Sequence, residues 1–164
     1  MDRGASRFEM ADIGAAQRVA GNSDSRLVLV VGDQPGELRA AMVALAGDLG
    51  WRAVDLNVSL AGRLIPLSAD ERVLEAWDVL DEIVGPHHDG VVLLTSDILF
   101  EPTLGFRPYE ALRRIGRSGP VIAPWFGTVI DTDIIRAQPG HPEYRMVPLD
   151  VPFLSAQRSR GGHA

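Results

Sequence analysis

Short continuous apolar runs alternate along this chain with segments in which apolar residues recur every three or four positions. The runs 27–31, 91–94 and 120–123 are rich in Val, Ile and Leu, and turn-forming residues bound them. Such runs are typical of strands that are buried on both faces of a parallel sheet. We therefore predict that these three runs lie in one sheet, with Gly32 at the carboxyl end of a central strand.

A helix is predicted over residues 35–50. Pro35 suits its first turn, and Gly50 is placed to end it. Apolar side chains share one face of this helix at Leu38, Ala41, Met42, Leu45 and Leu49. That face is expected to pack on the sheet.

A second helix is predicted after the capping box that runs from Ser68 to Glu71. Its expected inward residues are Val73, Leu74, Trp77, Leu80, Ile83 and Val84. A short helix is predicted over 107–119. Further strands are predicted at 51–60, where the strand runs into a loop, and at 143–150.

Strands that alternate with helices indicate an α/β fold, a three-layer sandwich with a mostly parallel sheet, similar to P-loop NTPases. We expect residues 1–25 to be a flexible segment with one weak helix, residues 26–150 to form a single domain, and residues 151–164 to form a loose tail. Ligands bind such sheets at the carboxyl ends of the strands. Four segments should meet there: GDQPGE, DLNVS, TSDILF and WFGTVIDTD.

Composition narrows the classes of function. A net charge of −6 gives the chain no overall basic footprint, so direct contact with nucleic acid is not expected. No apolar run approaches the ~18–20 residues that cross a membrane, and a cytoplasmic protein is predicted. The chain has no cysteine, which excludes disulfides and thiolate chemistry. All 16 basic residues are arginine, so no lysine is present to bind phosphate.

The segment that follows the first strand begins like a phosphate-binding loop. Counted from Gly32, the motif G-x-x-x-x-G-K-S/T requires Gly, Lys and Ser or Thr where the chain has Glu37, Leu38 and Arg39. The candidate nucleotide site, in degenerate form, comprises Gly32, Asp33, Gln34, Pro35, Gly36, Glu37, Arg39, Thr95 and Asp97.

The chemistry of these positions argues against catalysis. Glu37 would repel phosphate, and Arg39 stands where a hydroxyl should hold Mg²⁺. Thr95 occupies the usual place of the acidic residue at the end of the third strand, and Asp97 is displaced by two positions. We predict no catalytic residue, no metal and no cofactor. The alternative is ATP with Mg²⁺ in an unconventional site that uses Arg39.

Three other groups of residues could serve either a structural or a functional role. His87, His88 and Asp89 are adjacent in a turn and rarely converge on one metal ion, so no metal is predicted there. An arginine strip (Arg113, Arg114 and Arg117) is by default a solvated helix face, and an anionic partner is the alternative. The rigid segment PGHPEYR carries the candidate partner-binding residues His141, Glu143, Tyr144 and Arg145, or serves only to turn the chain.

The order of segments over residues 26–149 resembles the BrxF family, the small P-loop-containing component of type 3 bacteriophage-exclusion (BREX) systems of bacteria. The resemblance is carried by LNVSLAGRL, ILFEP, the run from Trp125 to Thr128, and PGHPEYR, in that order and spacing. It implies a role in antiphage defence beside a large AAA-type ATPase, a DNA methyltransferase and an alkaline-phosphatase-like protein. It also implies relatives with an intact P-loop, from which this chain departs at residues 37–39 and 95.

Three functions stay open from the sequence. The first is a P-loop-like subunit with a degenerate nucleotide site that acts in the assembly or regulation of a defence complex, with self-association open. The second is an ATP-binding protein or weak ATPase with an arginine-containing site. The third is an unrelated small α/β enzyme or binding domain.

Overall fold

The computed structural model describes residues 14–16, 18, 26–86, 89–130, 133–136, 145–148 and 151–156. Its strands are β1 (Leu27–Gly32), β2 (Arg52–Asp55), β3 (Val91–Thr95), β4 (Val121–Phe126), β5 (Thr128–Ile130), β6 (Asp133–Arg136), β7 (Arg145–Pro148) and β8 (Phe153–Ser155). Its helices are α1 (Pro35–Leu49), α2 (Leu56–Leu64), α3 (Ala69–Val84) and α4 (Pro108–Arg117), and two 3₁₀ turns span Asp97–Phe100 and Pro102–Leu104.

A parallel sheet of five strands forms the centre of the protein, in the order β2-β3-β4-β1-β8. The three apolar runs lie in this one sheet, as predicted, and Gly32 ends β1, which has a neighbour on each side. The α/β class and the mostly parallel sheet are therefore confirmed.

Helices cover both faces of the sheet and make three layers. One face packs Val28, Val30, Val92 and Ile122 against the apolar side of α1. The other face packs Leu27, Leu29, Leu93 and Ala123 against residues of α2, α3 and α4. Strand residues alternate between the two cores because successive side chains point to opposite faces.

Helix α1 follows its predicted face. Leu38, Ala41, Met42 and Leu45 are buried, and Gly50 ends the helix with φ of 67°, a left-handed conformation that glycine adopts without strain. The second predicted helix also begins as expected. The Ser68 hydroxyl accepts from the backbone N–H of Glu71, and the Glu71 carboxylate accepts from the backbone N–H of Ser68.

The prediction of a strand that runs into a loop at 51–60 is wrong for its second half. Strand β2 stops at Asp55, and α2 begins at once. Leu56, Leu60 and Leu64 recur every four residues and are fully or almost fully buried. Arg72 donates to the carbonyl oxygens of Leu64 and Ile65 and so satisfies the end of this helix.

The inward face predicted for α3 is only partly correct. Leu80 and Val84 are buried, but Leu74 is 79% exposed and Val73 is 48% exposed. Trp77 is half-buried and packs edge-on against Phe106, with ring centroids 5.1 Å apart. The remaining buried positions are Ala76 and Val79, so the true face is rotated around the helix from the predicted one.

The C-terminal region joins the fold in a way that the sequence did not indicate. The predicted loose tail is wrong for Phe153–Ser155, because β8 pairs in parallel with β1 at the edge of the main sheet. The predicted strand at 143–150 exists as β7, but it belongs to a separate antiparallel sheet with the order β5-β6-β7. Residues 157–164 lie outside the described residues.

Toward the N-terminus, residues 14–16 and 18 are helical, and Ala16 is buried against the α1 side of the core. This agrees with the predicted weak helix. None of the helices in the described ranges is long and apolar enough to cross a membrane.

Candidate functional site at the carboxyl edge of the sheet

The turn from β1 into α1 is too short to wrap a phosphate group. The strand ends at Gly32 and the helix begins at Pro35, so only Asp33 and Gln34 connect them. A phosphate nest needs successive backbone N–H groups in alternating right- and left-handed conformations. Neither Gly32 nor Gly36 has a positive φ. The turn follows the first strand, where a P-loop would lie, but it lacks the backbone conformation of a P-loop.

Close packing, and not phosphate binding, explains the glycine at position 32. A Cβ atom at Gly32 would lie 3.1 Å from the Cβ of Ala156 and 3.5 Å from Cδ1 of Leu38. The carbonyl oxygen of Gly32 accepts from the N–H of Gly127 at 2.8 Å, and Ala156 donates its N–H to Val31. A side chain at Gly32 would therefore be crowded by Ala156, which follows β8, and by Leu38 of α1.

The first turn of α1 places the predicted residues in two different environments. Asp33, Gln34, Pro35 and Gly36 are exposed, and a Cβ at Gly36 would meet nothing within 4 Å. Leu38, at the position of the P-loop lysine, is 5% exposed and packs in the core beneath the helix. A lysine there would have its ammonium group directed toward apolar side chains, so residue 38 cannot be converted to a phosphate ligand in this backbone.

Arg39 is held by a carboxylate that the sequence prediction did not name. The Arg39 guanidinium donates to Oδ2 of Asp55 at 2.8 Å, which links α1 to the end of β2. Oδ1 of Asp55 accepts from the Thr95 hydroxyl at 2.7 Å and from the backbone N–H of Val58 at 3.2 Å. Asp55 is thus the N-cap of α2 and the centre of a polar cluster.

Asn57 extends this cluster to the end of β3. Its backbone N–H donates to the Thr95 hydroxyl at 3.0 Å, and its side-chain amide donates to Oδ2 of Asp97 at 3.3 Å. Its amide oxygen accepts from the backbone N–H of Ile98 at 2.8 Å. We call Arg39, Asp55, Asn57, Thr95 and Asp97 the carboxyl-edge network, since every member lies where a parallel strand ends or a helix begins.

The structure therefore brings three predicted site residues together: Arg39, Thr95 and Asp97. The exposed turn 33–36 lies outside the hydrogen bonds of the network. Asp55 and Asn57 belong to the segment DLNVS, which was expected at this edge, but the sequence analysis did not name them as site residues. The signal was present, because Asp55 precedes the helical spacing of Leu56 and Leu60 as an N-cap residue should. Reading 51–60 as a strand concealed it.

The network is built as a clamp and not as an acid–base pair. Partial burial raises the pKa of the Asp55 carboxyl, but hydrogen bonds from Thr95, Arg39 and Val58 and the charge of Arg39 outweigh burial and hold this pKa below its usual value. A carboxylate so stabilised is a weak base. The Thr95 hydroxyl has its proton directed at Asp55 while it accepts from Asn57. Neither group is poised to activate a nucleophile.

Replacing Asp55 by Asn tests the charge at the centre of the network. Because the folded-state pKa lies below the usual value of 3.8, the stabilisation is present above that pH and is lost as pH falls through the folded pKa. We expect Asp55→Asn to lower the free energy of unfolding at neutral pH by roughly 1–3 kcal/mol, the range for hydrogen bonds to a charged group. Urea denaturation from neutral pH down to about pH 2.5 should show this difference shrinking.

The matched control is Asp78→Asn, which removes an exposed carboxylate from α3. It should change stability by no more than about 0.5 kcal/mol. A deficit of Asp55→Asn that stays constant across the acid range would contradict a role for the ionised carboxylate.

A groove of about 710 Å³ adjoins the network between α2 and the 3₁₀ turns. Asn57 and Asp97 stand at its polar end, and Leu64, Ile98 and Phe100 supply apolar wall. Asn57, Asp97, Glu101 and Thr103 are the lining residues with side-chain oxygen atoms, and Arg72 also lines the groove. In the part of the chain that the structure describes, no group of three or more His, Asp or Glu side chains is arranged to hold a metal ion.

The candidate partner-binding segment is only partly visible. His141, Glu143 and Tyr144, like His87 and His88, lie outside the described residues. Arg145 begins β7, and its backbone pairs with Arg136 of β6. The assignment of these residues to partner binding stays a prediction.

No protein-family model, curated protein or solved structure matches this chain, so function rests on the geometry of the site and on the order of the sequence segments.

Proposed function

We propose that this protein is a P-loop-like α/β subunit that has exchanged nucleotide chemistry for a fixed polar clamp and acts in the assembly or regulation of a bacterial antiphage complex of the BREX type. The observation that carries the first half is the carboxyl-edge network. The resemblance in segment order to the BrxF family supports the second half.

The carboxyl-edge network engages side chains at positions that a nucleotide site would need. A P-loop enzyme keeps a lysine for the phosphates, a hydroxyl for Mg²⁺ and a carboxylate at the end of a neighbouring strand. Here the residue at the lysine position is buried Leu38, and Arg39 is already bound to Asp55 at 2.8 Å. A phosphate bound by Arg39 would have to share the guanidinium with Asp55 or displace this carboxylate, and displacement would leave the Asp55 carboxylate without its charged partner.

The carboxyl-edge network also explains why the fold would be retained when nucleotide chemistry is lost. Its five residues join α1, β2, α2, β3 and the first 3₁₀ turn through hydrogen bonds between side chains and through the backbone N–H of Asn57. A carboxyl edge fixed in this way is a rigid surface, and rigid surfaces lose less conformational entropy when a partner binds. The partners that the resemblance implies are a large AAA-type ATPase and a DNA methyltransferase.

Isothermal titration of the protein with Mg-ATP tests the nucleotide half of this proposal. We expect a Kd weaker than about 1 mM, which corresponds to less than about 4 kcal/mol of binding free energy, and no Mg²⁺-dependent hydrolysis. A P-loop ATPase with an intact lysine, titrated in the same buffer, is the positive control. Micromolar affinity that Arg39→Ala abolishes would show instead that the arginine serves as an unconventional phosphate ligand.

The Glu37→Gln variant separates charge from geometry in the same assay. Glu37 lies half-buried in the first turn of α1 and would repel phosphate. If the short turn and the buried Leu38 are the obstacle, removing this one charge should leave ATP binding undetected at millimolar concentrations. Tight binding by Glu37→Gln would mean that the backbone is competent and that the glutamate alone blocks the site.

Co-purification with the AAA-type ATPase tests the assembly half. Tyr144→Ala and Arg145→Ala are predicted to weaken complex formation with nearly unchanged Tm, because Tyr and Arg are enriched among residues that dominate binding. Arg107→Ala, which removes a 79% exposed guanidinium from the start of α4, is the matched control. A drop in Tm with retained complex formation would instead assign the PGHPEYR segment to the packing of its own domain.

A further inference from the structure

A second concave site lies at the opposite, amino edge of the main sheet. Its walls are residue 26, just before β1, residues 84–86 between α3 and β3, and residues 114–118 at the end of α4 and before β4. All of these segments lead into amino ends of parallel strands. The pocket has a volume of about 830 Å³, which is within the range of small-ligand sites. It shares no residue with the carboxyl-edge network.

Like charges are gathered in this pocket although the chain as a whole carries −6. Arg26, Arg114 and Arg117 line it, and Asp81 is the one carboxylate among its described lining residues. Arg114 donates to the Asp81 carboxylate through Nε at 3.2 Å and Nη2 at 2.6 Å. Its guanidinium also lies over the Trp77 ring. The charges of Arg114 and Asp81 cancel, which leaves the positive charges of Arg26 and Arg117 among the described residues of the pocket.

Arg117 is the guanidinium available to a ligand. Within the described part of the chain, its side chain has no hydrogen bond or ion pair, and it is exposed. Its neighbour Arg26 reaches only the carbonyl oxygen of Arg117, at 3.4 Å. That contact uses the backbone of residue 117, so a ligand can engage the Arg117 side chain without disturbing it.

Arg26 adopts a conformation that a non-glycine residue seldom takes. Its φ is 37°, and it is the single non-glycine residue with positive φ in the described ranges. Such conformations are unfavourable for L-residues and persist where the surroundings hold them, often at binding sites. Here the backbone of Arg26 is fixed because its carbonyl oxygen accepts from the N–H of Val121 on β4. From this backbone position the Arg26 side chain reaches the carbonyl oxygen of Arg117 on α4.

The carboxyl ends of α3 and α4 oppose anion binding at this place, because helix C-termini carry partial negative charge. Two arginines offset this effect. Arg52 donates to the carbonyl oxygens of Ile83 and Val84 at 2.7 and 2.6 Å, and Arg26 donates to that of Arg117. The terminal carbonyl groups are thereby satisfied, and the charge of Arg117 is not consumed by them.

From these features we propose that the amino-edge pocket binds a small diphosphate-type oxyanion. Adjacent phosphate groups match two neighbouring guanidinium groups, since arginine donates to phosphate oxygens in a bidentate fork. The Ser118 hydroxyl, also in the lining, adds a donor of the right kind. The recess is bordered by helix ends and lies on an acidic protein, which favours a small ligand over the extended backbone of a nucleic acid.

Titration of the full chain with inorganic pyrophosphate, followed by amide and arginine Nε–H NMR signals at low salt, tests this site. We expect saturable shifts at Arg26, Arg117 and Ser118, with a Kd tighter than about 1 mM that weakens as salt is raised. Arg117→Ala should weaken binding about tenfold, the effect of losing one charge-assisted contact. Arg117→Lys, which keeps the charge and loses the fork, should weaken binding less.

The control variant is Arg107→Ala, which removes the same charge from the residue that precedes α4, outside the pocket, and should change the Kd less than about twofold. Arg117→Ala retains its backbone carbonyl, so its Tm should match the wild type and a folding defect is separable from a binding defect. Absence of saturation, equal weakening by Arg107→Ala, or shifts centred on residues 33–39 would each overturn the proposal. So would Arg117-dependent binding of a short DNA duplex without binding of pyrophosphate.

Discussion

Trp125→Ala should lower the free energy of unfolding by about 3–5 kcal/mol, the usual cost of emptying a large buried aromatic site. Trp125 is the last residue but one of β4 and is almost completely buried, at 1% exposure. Its ring meets Phe100 edge-on with centroids 5.1 Å apart and Tyr109 with centroids 6.2 Å apart. One side chain therefore ties the first 3₁₀ turn and α4 to the sheet. Urea denaturation followed by far-UV circular dichroism measures the loss.

The same substitution should also loosen the carboxyl-edge network. Phe100 lies in the 3₁₀ turn that begins at Asp97, and the neighbouring Ser96 hydroxyl donates to the carbonyl oxygen of Pro124 at 2.6 Å. When Phe100 loses its aromatic partner, the hydrogen bond between Asp97 and Asn57 loses its support. Faster hydrogen exchange at Ile98, whose N–H is bonded to Asn57, would report this change.

Trp125→Phe is the matched control. It keeps an aromatic ring against Phe100 and removes the indole N–H, which is buried without a hydrogen-bond partner among the described residues. An unpaired buried donor is unfavourable, so its removal offsets part of the lost volume. We expect a loss of at most about 1.5 kcal/mol, as for modest changes of core shape. If Trp125→Ala were as mild as Trp125→Phe, the aromatic cluster would not be a main source of stability.

The main sheet was predictable because its signals are local. The runs that form β1, β3 and β4 are long enough and apolar enough to identify buried strands from their own residues. Strand β8 was not predictable in this way, since Phe153–Ser155 is three residues long and carries no periodicity. Its place is decided by pairing with β1, more than a hundred positions earlier in the sequence. Tertiary contacts of that kind override local propensity.

The candidate site shows the same limit in its side chains. Counting residues from Gly32 sufficed to show that the lysine and the Mg²⁺ hydroxyl are missing. It could not show what Arg39 does instead, because Asp55 is 16 positions away, and Thr95 lies 40 positions beyond Asp55. Parallel strands bring their carboxyl ends to one edge, which predicts that these segments meet. Which side chains then pair depends on helix register, and the helix at 56–64 had been missed.

Leu80→Ala should lower the free energy of unfolding by about 2–5 kcal/mol, whereas Leu74→Ala on the same helix should change it by no more than about 0.5 kcal/mol. The two leucines are six positions apart, so they lie about 120° apart around α3. Leu80 is completely buried, and Leu74 is 79% exposed. The capping box at Ser68 fixes where α3 begins, but not which side packs inward.

Tertiary packing determines which side of α3 is buried, and this explains why the expected losses at Leu80 and Leu74 differ so much. Ala76, also completely buried, gives α3 a small residue on the true face, so the helix can approach its neighbours closely. Alanine is only weakly hydrophobic, so the hydrophobic pattern of α3 favours a face that contains the larger Leu74 and Trp77. The paired variants, compared by urea denaturation, isolate burial because residue type and helix are the same. A loss at Leu74→Ala comparable to that at Leu80→Ala would restore the originally predicted face and place α3 in a different register against the sheet.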